Sequence, residues 1–232
     1  MYKLRGVISI RNLKRIIVLI ILLCSPCTYS ISIGELTFSL APEKKFLSKL
    51  IINNNASTRL YRVSISRIVS PLSKEINTQP VEGEILFSPR QFTLQSGESE
   101  YFKFYYNGPK DERERYYRIS FREIPIINHV QRNMKGDKLN MDPVIVLDAI
   151  FIVRPRKVNF KWIYDRDKGT LGNIGNTWFK VLIKPGCNTT EEEGETWYLL
   201  PGESINNKKM RLPGDNFIVY NDQFIKIDGG CN

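Results

Sequence analysis

The sequence predicts an all-β protein of two sandwich domains that follow a removable N-terminal segment. Helical periodicity is nearly absent from the 232 residues. Short runs rich in β-branched and aromatic residues instead recur between turn-forming residues, a spacing typical of β-sandwiches. A second series of such runs begins after Arg154–Pro155. We therefore place one domain at residues 31–154 and a second at 155–232.

The first thirty residues have the composition of a secretory signal peptide. Five Lys or Arg and no acid precede the apolar run IIVLIILL, which is too short to span a bilayer. Cleavage after Ser30 places small residues, Thr28 and Ser30, at the cleavage site, while lipidation at Cys24 or Cys27 is the alternative. Loss of this segment lowers the net charge from +10 to about +5. That excess is too small to indicate a nucleic-acid partner.

The strands are expected in a fixed order along the mature chain. In the first domain the runs are GELTFSL, SKLIIN, RLYRVSISRIV, GEILFSP, QFTLQ, EYFKFYY and ERYYRISFREIP. A polar loop is predicted over residues 127–142, before the last strand of this domain. In the second domain the runs are KVNFKWIYD, GTLGNIGN, TWFKVLIKPG, TWYLLPGES and NFIVYNDQFIKI. No internal sequence repeat is expected, and GNIGN (172–176) is interpreted as a hairpin turn.

Two cysteines, Cys187 and Cys231, remain after removal of the signal peptide. In an oxidising compartment such a pair favours a disulfide. It would close a loop of about 44 residues and hold the C-terminal tail. A metal site would need more ligands than two distant thiols and the single histidine, His129, supply. We expect a disulfide and no metal.

No catalytic constellation is recognisable in the sequence. His129 lies in the polar loop, and neither G-x-S-x-G, H-E-x-x-H nor a phosphate-binding glycine loop occurs. Asp148 and Glu123 could serve a glycosidase as paired carboxylates, but an ion-pair role is equally compatible with their positions. The sequence therefore indicates a binding protein rather than an enzyme, with no cofactor and no small-molecule substrate.

The segment PVIVLDAIFIVRP (143–155) is apolar on both faces of its predicted strand. A strand with one solvated face should instead alternate apolar and polar residues. One interpretation is a central strand buried on both faces. The other is an edge strand that offers side chains and backbone hydrogen bonds to a partner's unfinished sheet. Its place after a polar loop, at the end of the first domain, favours the edge strand.

Several sequence blocks resemble the periplasmic chaperones of chaperone–usher pili. The signal peptide, the two sandwiches, SFREIP (120–125) and VRP (153–155) are similar to that family. A longer set resembles its common-pilus branch: NNNAS, RLYRVSIS, ESEYFKFYYNGPKDERERYYRISFRE, GNTWFKVLIKPGC, EEEGETWYL and VYNDQFIKI. The resemblance implies two immunoglobulin-like domains in an L-shaped or boomerang arrangement. It also implies binding of pilin subunits, delivery to an outer-membrane usher and pilus assembly from the periplasm. A self-capping homodimer is a further possible partner arrangement.

The resemblance assigns the last strand of the first domain, about residues 139–153, to a groove in the pilin. By this alignment four side chains point toward the pilin: Leu139, Met141, Ile145 and Leu147. Phe151 and Val153 are expected to face the chaperone's own core. A register slip of one residue would exchange the two faces. Asp148 is expected at the margin, hydrated or paired.

Other members of the family anchor the pilin's terminal carboxylate with an arginine in the first strand and a lysine in the last. Here GELTFSL lacks arginine, and Ile150 stands at the lysine position. Arg118 is our first replacement and Lys49 our second, since a carboxylate in a cleft needs a cation. The resemblance also implies an interdomain salt bridge between Arg154 and Asp222.

The alternative function is a secreted β-sandwich binding module, such as a pilus-tip subunit or a carbohydrate-binding protein. A tip subunit should carry its own N-terminal donor extension, yet GELTFSL begins close to the predicted cleavage site. A lectin should expose aromatic residues, whereas Trp162, Trp178 and Trp197 are expected in the core. Both points favour the chaperone.

Overall fold

The computed structural model describes residues 31–72, 79–80, 83–126, 143–184, 186–190, 192–228 and 231, which are mostly β-structure. The predicted signal peptide, the predicted loop over 127–142, and the site residues Leu139 and Met141 lie outside these residues. In the ranges just given, no helix is long and apolar enough to cross a membrane.

Ten strands form the first sandwich. They are β1 (Ile31–Ser32), β2 (Thr37–Leu40), β3 (Phe46–Asn53), β4 (Arg59–Ile68), β5 (Gln79–Pro80), β6 (Ile85–Ser88), β7 (Gln91–Leu94), β8 (Ser99–Tyr106), β9 (Arg115–Pro125) and β10 (Ile145–Val153). One sheet has the order β1–β3–β8–β6. The other has the order β2–β10–β9–β4–β5, with β7 also paired to β4. The two sheets face each other across a single hydrophobic core.

That core follows from the alternation of side chains along the strands. In β4 the buried residues Tyr61, Val63 and Ile65 alternate with Arg62 and Ser64, as the sequence pattern predicts. Aromatic rings fill the centre. Phe104 lies 4.9 Å from Phe102 and 5.5 Å from Phe151, measured between ring centroids. Phe151 of β10 is therefore part of the first core.

Seven strands and one 3₁₀ turn form the second sandwich. They are β11 (Trp162–Asp165), β12 (Thr170–Asn173), β13 (Phe179–Ile183), β14 (Glu195–Leu199), β15 (Ser204–Asn206), the turn Lys208–Arg211, β16 (Asn216–Tyr220) and β17 (Gln223–Lys226). The sheets have the orders β11–β12–β15 and β14–β13–β16–β17. The predicted all-β fold of two sandwiches is thus confirmed.

The expectation that Trp197 lies in the core is wrong. Its side chain is 43% exposed because β14 is the edge strand of its sheet, and only the last residue of β14, Leu199, is buried. Trp162 does pack against the second core. Trp178 packs instead against a small apolar cluster that joins the two sandwiches.

Both sandwiches contain the same buried asparagine turn. The side-chain amides of Asn53 and Asn173 donate to equivalent pairs of backbone carbonyls: those of Ser57 and Leu94 (3.0 Å each), and those of Thr177 (2.9 Å) and Leu199 (3.1 Å). The motif L-x-x-G-E-S completes the turn at 94–99 and at 199–204. A short internal repeat therefore exists, contrary to expectation. GNIGN also links β12 to β13 of the facing sheet, so the predicted hairpin is wrong.

The predicted disulfide between Cys187 and Cys231 is confirmed. The two Cα atoms lie 5.6 Å apart, and the bond joins residues separated by 44 positions. Lys226 of β17 donates through Nζ to the carbonyl of Cys231 at 3.0 Å, which further holds the tail. The described part of the chain contains no cluster of three or more His, Cys, Asp or Glu side chains suited to a metal ion.

Candidate functional site

β10 has a neighbouring strand on both sides only along its second half. β9 pairs with β10 along its whole length, from Ile145 opposite Glu123 to Val153 opposite Arg115. On the other side β2 runs parallel to β10 and pairs only with Ile150–Val153. Among the strands that the structure describes, nothing pairs with the second edge of residues 145–149. We call this stretch the open edge. It is the described N-terminal part of the predicted donor strand, and residues 143–144 lie just before it.

Hydrogen bonds to β2 establish which backbone groups of β10 face this edge. The amide of Ile150 donates to the Leu36 carbonyl at 2.7 Å, and the amide of Arg154 donates to the Leu40 carbonyl at 3.2 Å. Backbone direction alternates along a strand, so the amides and carbonyls of Val146 and Asp148 also point away from β9. They are positioned to receive an additional strand.

The side chains of Ile145 and Leu147 are half-buried at the end of the first core. Leu147 packs against the core cluster that contains Phe151 and Val153. The pairing of β10 with β9 continues without a bulge, so these odd-numbered residues share one face. Ile145 and Leu147 therefore share a face with Phe151 and Val153, which are buried in the first core as expected. Ile145 and Leu147 lie at the N-terminal end of β10, and Phe151 and Val153 lie at its C-terminal end.

The opposite face of the open edge combines an apolar and a charged side chain. Val146 is 57% exposed. Asp148 accepts a hydrogen bond from Ser120 Oγ at 2.6 Å, and its Oδ2 lies 3.9 Å from Arg118 Nε. Asp148 is therefore paired at the margin of the strand. Because Val146 and Ile145 lie on opposite faces, the open part of β10 is apolar on both.

A cleft of about 750 Å³ separates the two sandwiches. Lys49, Arg154 and Asp222 all line it. The Lys49 ammonium lies 4.6 Å from the centroid of the Phe38 ring. Arg118 lies instead on the outer face of β9, beside Asp148. The structure therefore does not bring the two predicted carboxylate anchors, Lys49 and Arg118, into one site.

Arg154 joins the two sandwiches through Glu114 and Thr177. Its Nη1 donates to Thr177 Oγ1 at 2.6 Å and lies 3.9 Å from Glu114 Oε2. Glu114 in turn accepts from Thr177 Oγ1 at 2.7 Å and from the Trp178 amide at 3.1 Å. The predicted Arg154–Asp222 salt bridge is wrong. Asp222 lies exposed in a left-handed turn (φ 60°), while the buried acid is supplied by the residue just before β9.

Sequence reasoning missed Glu114 because it stands in the charged segment NGPKDERERYYR, which has the composition of a solvated loop. Its side chain is only 1% exposed. Burial raises the pKa of Glu114, while hydrogen bonds from Tyr116 and Thr177 and the positive charge of Arg154 act against that rise. Tyr116 OH donates to Glu114 Oε1 at 2.6 Å. The sequence pattern E-x-Y at the start of a strand was therefore the available signal that Glu114 is buried.

Aromatic and aliphatic side chains surround this polar contact. The Arg154 guanidinium carbon lies 5.3 Å from the Trp178 ring centroid and 5.2 Å from that of Tyr220. An apolar cluster packs beside it, formed by Ile68, Tyr116, Ile152 and Leu200 with Ile150 and Trp178. Contacts of this kind restrict the movement of one sandwich relative to the other, because separation would expose both the ion pair and the apolar cluster.

Several solved structures share this fold at low sequence identity. The class 5 fimbriae chaperone CfaA aligns with a TM-score of 0.55 and 13% identity, covering 85% of this chain and 97% of its own. The periplasmic chaperone SfaE gives 0.54 and 13%, covering 85% and 98%. A chain of the Salmonella enterica complex between the SafA pilin and the SafB chaperone gives 0.54 and 16%, covering 87% and 92%. These likenesses support the fold alone.

No protein-family model matches the chain. Among curated proteins it is 54% identical over 231 residues to the probable fimbrial chaperone EcpE of Escherichia coli strain K12, covering 100% of this chain and 97% of EcpE. It is 31% identical over 202 residues to the probable fimbrial chaperone EcpB of Escherichia coli O157:H7 strain EC4115, covering 83% of this chain and 88% of EcpB. Identity of this extent over essentially the whole length means that the chain belongs to the fimbrial chaperone family of EcpE and EcpB.

Proposed function

We propose that this protein is a periplasmic chaperone that binds pilin subunits by donor-strand complementation and delivers them to an outer-membrane usher for fimbria assembly. The observation that carries the proposal is the open edge of β10. A subunit that lacks a strand would pair with the backbone of Val146 and Asp148. Its unfilled core would take up Ile145 and Leu147, and Leu139 and Met141 would continue that series.

The proposal requires no catalytic step, cofactor, nucleic acid or small-molecule substrate. Polymerisation would be driven when the usher replaces the imperfect donor strand β10 with a better-fitting strand from another subunit. The signal peptide at residues 1–30 would direct the chain to the periplasm. Before a subunit binds, a second copy of the chaperone would cover the apolar edge of β10, because exposed strand edges promote aggregation.

The subunit's terminal carboxylate would be held by a cation in or near the cleft. Lys49 lines the cleft and is our first candidate on this geometry; Arg118, which is engaged with Asp148, is the second. The domain boundary is assigned to Arg154–Pro155, where β10 ends and the contact with Glu114 and Thr177 begins. Loss of a charge-assisted hydrogen bond to the carboxylate would cost about 1.5–3 kcal/mol of binding free energy.

Co-expression in the periplasm tests the proposal. Fimbrial subunits are expressed one at a time with tagged wild type, Ile145→Asp and Leu86→Asp, and the complexes are purified. Leu86→Asp is the matched control, because Leu86 is an exposed leucine on β6 of the other sheet. Wild type and Leu86→Asp should each yield a one-to-one complex. Ile145→Asp should yield none, because it places a charge in the subunit's core.

Two results would contradict the proposal. A complex that tolerates Ile145→Asp as well as Leu86→Asp would locate binding elsewhere. If no subunit co-purifies with wild type, the secreted binding module becomes the better assignment, and exposed Trp197 and Tyr198 on β14 would be its first surface to test. Within a wild-type complex, Lys49→Ala and Arg118→Ala identify the anchor by which of them weakens binding.

A further inference from the structure

Two arginines lie on the outer face of the sheet that carries the open edge, one on the neighbouring strand β9 and one on β4 beyond it. Arg62 of β4 lies directly opposite Arg122 of β9, and Arg122 lies directly opposite Val146 of β10. All three side chains are exposed, while their neighbours Tyr61 and Phe121 point into the core. Arg62, Arg122 and Val146 thus form one row that ends at the open edge; we call it the arginine row.

Among the residues that the structure describes, no acidic side chain forms an ion pair with the arginine row. Like charges directly opposite each other destabilise an antiparallel pair. Arg62 donates to the neutral Gln91 Oε1 at 3.3 and 3.4 Å. Among the described residues, the ion pairs include neither Arg62 nor Arg122. Within the described part of the chain, no ion pair therefore offsets the repulsion between these two arginines.

The next row toward the cleft has the opposite character. Ser64, Ser120 and Asp148 lie side by side there, and Asp148 is the residue that reaches the open edge. An added strand would consequently meet positive charge beside Val146 and, beside Asp148, a carboxylate paired with Arg118. The alternation from one row to the next gives the edge a charge pattern as well as an apolar face.

We propose that the strand added at the open edge carries a carboxylate opposite Val146, and that Arg122, supported by Arg62, pairs with it. This inference rests on the proposed function and names the chemistry of the partner: an acidic side chain on the solvent-facing side of a pilin strand. An added strand lies two strand spacings from β9, about 10 Å. Arg122 reaching across Val146 and an acidic side chain reaching back can span that distance.

The pairing would also select the register of the added strand. A slip of one residue turns the carboxylate to the opposite face. A slip of two residues toward the cleft moves it away from Arg122 and beside Asp148, whose nearest cation, Arg118, is already engaged. Charge would therefore discriminate among registers that the apolar side chains alone accept.

A competition experiment tests this pairing. Tagged wild type and an untagged variant are co-expressed with a limiting amount of the subunit identified above, and the ratio of the two complexes is measured. Arg122→Glu is compared with Lys103→Glu, which makes the same charge change at an exposed position in β8 of the other sheet. Arg122→Glu should bind about five-fold more weakly at low salt, with a smaller difference at high salt. Lys103→Glu should compete like wild type.

Two further measurements separate recognition from a structural role. Unbound Arg122→Glu should unfold at the same or a higher temperature than wild type, because it converts a repulsive pair into an attractive one. Changing the subunit's facing acid to lysine should restore binding to Arg122→Glu. If Ile145→Asp abolishes the complex while Arg122→Glu binds like Lys103→Glu, the proposed function stands and this inference is wrong. If no subunit binds wild type, both are wrong.

Discussion

Loss of the Cys187–Cys231 disulfide should destabilise the second sandwich by about 4 kcal/mol. The bond closes a loop between residues 44 positions apart, which contains β14 to β17. Loop-closure theory predicts that such a crosslink lowers the entropy of the unfolded chain by about 13 cal/mol/K. At 25 °C this corresponds to about 4 kcal/mol in the free energy of unfolding. Without the bond, the unfolded chain gains this freedom and the folded sandwich loses the tether on its last strand.

Urea unfolding without reductant measures this effect. Cys187→Ser, Cys231→Ser and the double variant should each lose the same stability, because each removes the same bond. Tryptophan fluorescence is a suitable probe, since all three tryptophans, Trp162, Trp178 and Trp197, belong to the second sandwich. Added reductant should lower the stability of wild type to that of the variants.

A loss below about 1 kcal/mol would refute the loop-entropy reasoning and show that the unfolded chain remains constrained by other means. A response of the double variant to reductant would show that the reductant acts on something other than this bond.

Two further predictions concern buried polar groups. Burial raises the pKa of Glu114, so the folded chain binds this proton more tightly than the unfolded chain does. The stability linked to this group therefore rises as pH falls through the raised pKa and is lost as pH rises through it. Wild type should therefore gain stability relative to Glu114→Gln between pH 7 and pH 5 in urea unfolding; a difference independent of pH would contradict this. Asn53→Ala and Asn173→Ala should each cost about 2–3 kcal/mol, because buried carbonyls lose their donors. Only Asn173→Ala should shift the tryptophan-detected transition directly, and equal shifts from both would mean that the two sandwiches unfold together.

The strands that could be predicted from sequence are those with clear local signals. RLYRVSISRIV alternates apolar and polar residues, and β4 has the buried face which that alternation predicts. The disulfide followed from the cysteine count and the predicted compartment, and the strand at residues 145–153 followed from its apolar run and its resemblance to a family.

What the sequence could not provide depends on contacts between distant segments. The open edge exists because β2 pairs with only the second half of β10, and no local pattern in either strand encodes where that pairing stops. Glu114 is another example. Its burial depends on the docking of Thr177 and Trp178 from the second sandwich, so a residue in a charged segment becomes the acid that joins the two sandwiches.

The point where β2 meets β10 also acts as a mechanical stop. β2 lies along β10 from Ile150 onward, and the Leu36 carbonyl already accepts the Ile150 amide. A strand that slides along the open edge toward the cleft must halt against the end of β2. Residues 145–149 span about 17 Å, which is the length of edge left before that obstacle. A strand bound there would thus be positioned from a fixed end, independently of its own length.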